Sequence, residues 1–256
     1  MSEVRVETTD RIMTVTLADV DNRNALGAAV VNGMHDAITQ ANATQDIRAV
    51  VITNDGNTFC AGANLKEQSG ASQGSRPKVG FEALLAQIQT SPTPIIGKIN
   101  GHVVGGGNGL AAALDVAIAR EDVKFGFTEV RLGVVPAIIS VVCLPKMRRG
   151  DAMEMFLRGS RFPAAKAAEF GLIARAVPGD ELDAAVDEVL DDLRLGGPNA
   201  LEHAKRLVNE VPKFSQEKAF AWTSELSARL FKSDEAAAGM RAFLKREPPP
   251  WAKDSE

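Results

Sequence analysis

The stretch Asn100-Gly101-His102-Val103-Val104-Gly105-Gly106-Gly107-Asn108-Gly109-Leu110 decides how this chain is read. Three consecutive glycines open an Ala-rich helix, and each costs roughly 0.5–1 kcal/mol of chain entropy relative to Ala. A cost of that size points to backbone N–H groups presented to a ligand, where a helix N-terminus adds partial positive charge. Upstream, Phe59-Cys60-Ala61-Gly62-Ala63-Asn64-Leu65-Lys66 has the same grammar: small residues after an apolar strand, then a helix start. By itself that segment is better read as a tight strand-to-helix turn. Together the two loops can aim two N–H groups at one oxygen, as an oxyanion hole requires.

Around these loops the pattern alternates. Residues 4–7 and Ile12–Leu17 read as strands joined by a turn at Thr9-Asp10-Arg11. A polar loop at 19–24 precedes a helix whose buried face is Val30, Met34, Ala37, Ile38 and Ala41. Residues 49–53 form an apolar run short enough for a buried strand, which a turn at 54–57 ends. Residues 69–80, rich in Gly and Ser, read as a mobile loop and as the wall of any pocket. A helix is expected over about 79–89, and strands at 94–100, 115–119 and 123–127. Strand, glycine loop and helix in this order are the signature of βαβ units, whose loops gather into a site. From about Ala137 onward the chain reads as almost entirely helical, with Leu182, Ala185, Val186, Val189, Leu190 and Leu193 on one face. Residues 220–243 suggest two more helices, and Glu247-Pro248-Pro249-Pro250-Trp251 an extended tail. The expectation is an α/β fold, with a sheet-based core over residues 1–195, a helical region over 196–256, and no internal repeat.

Bulk properties narrow the class. A chain of 256 residues can bury roughly 70–75% of its unfolded surface, so it needs no staples. Hydrophobic residues at 45% and charged residues at 24% give ordinary globular composition. A net charge of −4 without a basic run excludes a nucleic-acid footprint. The two cysteines, Cys60 and Cys143, have no CxxC spacing, so a reduced, cytoplasmic protein is expected rather than a disulfide framework. Residues 1–10 lack the apolar run of a signal peptide, and no stretch approaches the ~20 apolar residues of a membrane span.

The third informative segment is Thr128-Glu129-Val130-Arg131-Leu132-Gly133-Val134-Val135-Pro136. A glutamate just after a strand, among apolar neighbours, can have its pKa raised and act as a general acid or base. The plain alternative is an ion pair with Arg131. His35, His102 and His203 have no metal-like spacing, and a triad of Ser140, His102 and Asp115 can be nominated only formally. Gly107-x-Gly109-x-x-Ala112 also satisfies a dinucleotide fingerprint, with Glu129 downstream. Against it, residues 101–104 separate the glycines from the strand at 94–100, and no second nucleotide-binding half follows.

These three segments, in this order and spacing, resemble the crotonase (enoyl-CoA hydratase/isomerase) superfamily over residues 4–243, nearly the whole chain. The resemblance implies a spiral ββα core, a helical C-terminal trimerisation region, and homotrimers that often pair into hexamers. It implies that Ala63 and Gly106 are the two oxyanion N–H donors and that Glu129 is the catalytic glutamate exchanging a proton at the substrate α-carbon. It places Arg23 and Ala61 near coenzyme A, and, more loosely, Phe243 and Arg246 near coenzyme A bound to a neighbouring subunit. Coenzyme A would be part of an acyl-CoA substrate of fatty acid metabolism, with no separate cofactor, nicotinamide or metal.

Two positions depart from the family pattern. Gly109 stands where two-glutamate hydratases carry the first catalytic acid, and Asn64 replaces the usual Asp. The Gly-Gly-Gly-x-Gly-Leu run and the segment 129–140 also look like bacterial methylglutaconyl-type hydratases, which lack that acid too. The expected activity is therefore hydration of a 2-enoyl-CoA. The alternatives are 3-enoyl- to 2-enoyl-CoA isomerisation with the single glutamate, and a non-catalytic acyl-CoA-binding protein.

Overall fold

The structure, a computed structural model, describes residues 3–68 and 77–252. The loop expected over 69–80 lies mostly outside the described residues. Strands β1 (Val4–Thr9) and β2 (Ile12–Leu17) pair antiparallel, with Thr9 opposite Ile12. Asp10 and Arg11 turn the chain with both φ positive, as a two-residue hairpin turn needs. Helix α1 (Ala28–Ala43) follows and buries Val30, Met34, Ala37, Ile38 and Ala41, the stripe its spacing predicts, with Ala28 and Val31 beside them.

The chain then winds as a spiral. One turn is β3 (Ala49–Asn54), β4 (Thr58–Cys60), α2 (Leu65–Gln68) and α3 (Phe81–Thr90). The next is β5 (Ile95–Ile99), β6 (His102–Val104) and α4 (Gly106–Ala113). The third is β7 (Val116–Arg120), β8 (Lys124–Gly126), a 3-10 turn at Glu129–Leu132 and α5 (Ala137–Cys143). In each turn the first strand joins a six-stranded sheet ordered β1-β2-β3-β5-β7-β10, and the second a four-stranded sheet ordered β4-β6-β8-β9. The chain continues through α6 (Arg149–Arg158), β9 (Arg161–Pro163), α7 (Ala164–Glu169), β10 (Arg175–Val177) and α8 (Leu182–Leu195). Helices α9 (Pro198–Glu210), α10 (Gln216–Leu230) and α11 (Asp234–Lys245) complete the C-terminal region. The fold is the expected α/β spiral, a structural repeat that leaves no repeat in the sequence.

Burial explains the sheets. Strand β3 is buried at five of six positions and β5 at four of five, because the six-stranded sheet is covered on both faces. One face meets the main core; the other carries Ile12, Ala49, Val51, Ile96 and Ile118 against Leu182, Val186 and Leu190 of α8. An aromatic group within the main core anchors the strand before Glu129. Phe125 and Phe127, fully buried, stack on Phe162 at 6.2 and 6.1 Å, and Phe127 meets Phe156 at 4.5 Å. From Pro198 onward Leu226 and Ala242 are the buried apolar residues among those described.

Several expectations need correction. Strands β9 and β10 interrupt the region read as almost wholly helical; each has three residues, too short for any alternation to register. Helix α3 starts at Phe81 behind Gly80 rather than at 79. The tail is not simply extended: Pro250–Ala252 make a 3-10 turn, the Trp251 indole donates to the Leu195 carbonyl at 2.8 Å, and Arg11 donates to the Trp251 carbonyl at 3.2 Å. The spacing objection to a dinucleotide fingerprint also fails, since 102–104 is itself strand β6 and the glycines follow it directly. What removes that reading is topology: two sheets and a spiral, not one doubly wound sheet. Cys60 and Cys143 are free and buried. Among the described residues no helix is long and apolar enough to cross a membrane.

Candidate active site

Two loops meet at Gly62 and Gly106. Gly62 has φ +84°, and a Cβ there would lie 2.9 Å from the Gly106 nitrogen and 3.0 Å from the Val104 oxygen. Only glycine allows both that backbone conformation and that approach. The Gly62 carbonyl accepts from Leu26 at 2.7 Å, and Leu26 bridges Ala63 in parallel, so the loop carrying Ala63 is held as a short ladder. Gly106 is the first residue of α4, so its N–H has no acceptor within the helix. Among the described residues neither the Ala63 nor the Gly106 N–H finds a hydrogen-bond acceptor. Two free donors on adjoining loops, one at a helix N-terminus, make an electropositive spot.

Glu129 opens the 3-10 turn that Phe127 and Thr128 connect to β8, and it faces the same place. Its Oε1 lies 3.6 Å from where a Cβ on Gly105 would stand, and its Oε2 is buried without a hydrogen-bond partner among the described residues. Burial raises the Glu129 pKa above the ordinary glutamate range, partly offset by its own backbone N–H. Among the described residues it makes no ion pair with Arg131, so the plain alternative for this glutamate falls. The walls near Gly106 are apolar: a Cβ there would sit 2.9 Å from Leu26 Cδ1 and 3.7 Å from Phe81 Cε1. Neither wall residue was found from the sequence, although both flank segments already singled out.

The departure at Gly109 has a structural counterpart. A Cβ on Gly109 would lie 2.2 Å from Ile139 Cγ2 and 2.6 Å from Ile139 Cβ. Ile139, 3% exposed on α5, therefore fills the volume a side chain at 109 would need. The sequence carries no sign of this, because it depends on how α4 packs on α5. Asn64 also acquires a reason. Its amide donates to Glu67 Oε1 at 3.0 Å, and Glu67 Oε2 accepts the Ala28 N–H at the start of α1 at 3.2 Å. An Asp at 64 would set two carboxylates against each other and weaken that cap.

The Arg23 carbonyl accepts the Ala61 N–H at 3.1 Å, so the loop holding Arg23 runs beside the first glycine loop. Arg23 is exposed with φ +55°, and a ligand contact from Ala61 would fall to its carbonyl. Phe243 lies on α11, 83% exposed, and Arg246 caps that helix with φ +58°. Within one chain these two stand outside the cluster. Among the described residues no group of three or more His, Cys, Asp or Glu could hold a metal. His102 takes the Lys124 N–H on its ring at 3.0 Å, and the Ser140 hydroxyl donates to the Ala137 carbonyl, so the formal triad has no geometry.

Comparison with known proteins bears on the chain as a whole. A sequence profile described as enoyl-CoA hydratase/isomerase matches residues 7–254. The enoyl-CoA hydratase EchA19 of Mycobacterium tuberculosis is 29% identical over 251 residues, 95% of this chain and 94% of that protein. The 2,3-dehydroadipyl-CoA hydratase of Escherichia coli is 27% identical over 250 residues, covering 97% and 98%. A crystal structure of an enoyl-CoA hydratase/isomerase from Marinobacter aquaeolei superposes with a TM-score of 0.90 at 27% identity, over 99% of this chain and 100% of that one.

Proposed function

This chain belongs to the enoyl-CoA hydratase/isomerase family and is an enoyl-CoA hydratase-like enzyme, and on that premise we propose that it hydrates a 2-enoyl-CoA with Glu129 as its single catalytic carboxylate. The thioester oxygen accepts the Ala63 and Gly106 N–H groups, which stabilise the negative charge that an enolate-like state places on it. One such donor is typically worth about 2.7–4 kcal/mol where water is excluded. Glu129 activates water for addition at C3 and returns a proton to C2, a task its raised pKa suits. The thioester makes the α-proton acidic enough for one carboxylate. Arg23 and the Ala61 carbonyl are assigned to the coenzyme A portion, a reading supported by the Ala61 N–H donating to the Arg23 carbonyl beside the first glycine loop.

The observation carrying this reading is the meeting of two acceptor-less N–H groups with a buried, unpaired carboxylate oxygen. The Ile139 side chain packed on Gly109 favours a branch that works without a second acid, the methylglutaconyl-type hydratases among them. The same feature favours 3-enoyl-CoA isomerisation as the second reading, since moving a proton between two carbons needs one base. Crotonyl-CoA, a 3-enoyl-CoA and methylglutaconyl-CoA assayed side by side test the choice. Hydration of a 2-enoyl-CoA is the expected result, and turnover of the 3-enoyl-CoA alone would replace hydratase by isomerase.

A homotrimer, or a hexamer made of two, belongs to the same proposal, as do the boundary at residue 195 and a cytoplasmic location. Its support is the apolar surface on the C-terminal helices: Phe220 is 64% exposed, Phe231 69%, Phe243 83% and Leu244 81%. Light scattering at micromolar concentration is expected to give at least three chains. A monomer would remove the basis for assigning Phe243 and Arg246 to coenzyme A of a neighbouring subunit.

A further inference from the structure

We propose that Asn108 is a positioning residue that sets the direction of the Gly106 N–H, an inference that rests on the oxyanion reading above. Asn108 lies in the first turn of α4 and is fully buried. Its Nδ2 donates to the Gly105 carbonyl at 3.0 Å and to the Gly126 carbonyl at 2.9 Å. The Asn108 backbone N–H also donates to the Gly105 carbonyl, at 2.9 Å, and the Gly105 N–H donates to the Gly126 carbonyl at 2.9 Å. The assignment of the amide is forced, because two carbonyl oxygens can be met only by its NH2 end.

The consequence follows from the peptide unit. The Gly105 carbonyl and the Gly106 N–H belong to one planar trans amide and point in opposite directions. Holding the carbonyl inward with two donors aims the N–H outward, toward Gly62 and the place of the thioester oxygen. The Asn108 backbone N–H is one hold on that carbonyl and the side-chain Nδ2 is the second, while Gly105, with no side chain and a φ of +56°, adds no steric restriction of its own. Among the described residues the Asn108 Oδ1 is buried without a partner, an unfavourable arrangement that packing alone does not require. An apolar side chain would fill the space without that orphan, but would leave the Gly105 carbonyl held by the single backbone donor at 108.

The test reads carbonyl polarisation separately from stability. A saturated acyl-CoA with a carbon-13 thioester carbonyl is bound to the wild type and to Asn108→Ala, and the carbonyl stretch is recorded by isotope-edited infrared spectroscopy. In the wild type the band is expected to fall on binding. In Asn108→Ala most of that shift is expected to vanish. Turnover should drop roughly ten- to a hundredfold, part of the roughly 10²–10³-fold that a whole donor is worth, with acyl-CoA affinity within a few-fold. Asn108→Ser keeps a buried hydroxyl and is the variant to read if Asn108→Ala does not fold. A folded variant with a lower thermal midpoint but the wild-type band shift and turnover would overturn the proposal. Failure of both variants to fold would also count against it, making Asn108 a core residue first. Absence of any shift in the wild type would instead defeat the oxyanion reading on which the proposal stands.

Discussion

Glu129→Gln is expected to keep acyl-CoA affinity within a few-fold and to lower turnover by about 10²–10⁴-fold, the usual contribution of a positioned acid–base group. Gln is nearly isosteric, so the pocket around Gly105 and the Phe-anchored strand persists while proton transfer is lost. Stability gives an independent check, because the Glu129 pKa is raised by burial and Oε2 has no partner. Below the ordinary glutamate pKa the side chain is protonated in both the folded and unfolded chain, and the substitution should change little. As pH rises through the raised folded-state value, the wild type must carry a poorly solvated charge and loses stability that the Gln variant retains. The variant should therefore melt at the same temperature as the wild type in acid and at a higher one near neutrality. A wild-type rate limb that rises with pH above the usual glutamate range would accompany it. Unchanged turnover in the variant would assign the chemistry elsewhere. A lower thermal midpoint at neutral pH would mean that Glu129 has a partner holding it in the charged form.

How much of this could be read in the sequence varies with the range of the interaction. The glycine loops could be, because the penalty of Gly105-Gly106-Gly107 is local and demands a reason wherever it occurs. Glu129 could be nominated from its apolar neighbours, but the same residues permitted pairing with Arg131. Only the direction of the side chain excludes that pair. Strands β4 and β6 were absorbed into the loops because three residues show no period, and residues 58–60 are buried throughout. From the residues alone the order reads as βαβ, and the ββα spiral enters only through the family resemblance. Asn108 donates to carbonyls 3 and 18 positions away, the second at the end of β8, so no short window of sequence contains both partners. Asn64 is similar: its meaning depends on Glu67 reaching the N-terminus of α1.

Gly109→Glu alone is expected to cripple the protein rather than to add a catalytic acid. Its Cβ would lie 2.2 Å from Ile139 Cγ2, far inside contact, and the carboxylate would be driven against an apolar wall. Overpacking of this kind costs about 1–3 kcal/mol or more, and an unpaired buried carboxylate adds to it. Gly109→Ala isolates the steric part, offset by the roughly 1 kcal/mol that replacing a helical glycine contributes. The remedy must reach the Cβ of Ile139. Ile139→Ala leaves a Cβ 2.6 Å from the new one at 109, whereas Ile139→Gly leaves a nearest Cα at 3.4 Å. Gly109→Glu with Ile139→Gly is thus expected to be more stable than the sum of the single changes, with a coupling of about 0.5–3 kcal/mol. Gly109→Glu with Ile139→Ala should show little of that coupling. In the rescued pair a second carboxylate would stand near Glu129, where the resemblance places the water-holding acid of two-glutamate hydratases. Crotonyl-CoA hydration should then rise above the parent rate. Additive stabilities in all three combinations would show that α4 and α5 separate easily and that Ile139 does not exclude the acid. Rescue of stability without any gain in hydration would mean that the missing carboxylate is not what limits this enzyme, and that Glu129 and the two N–H groups suffice for its own substrate.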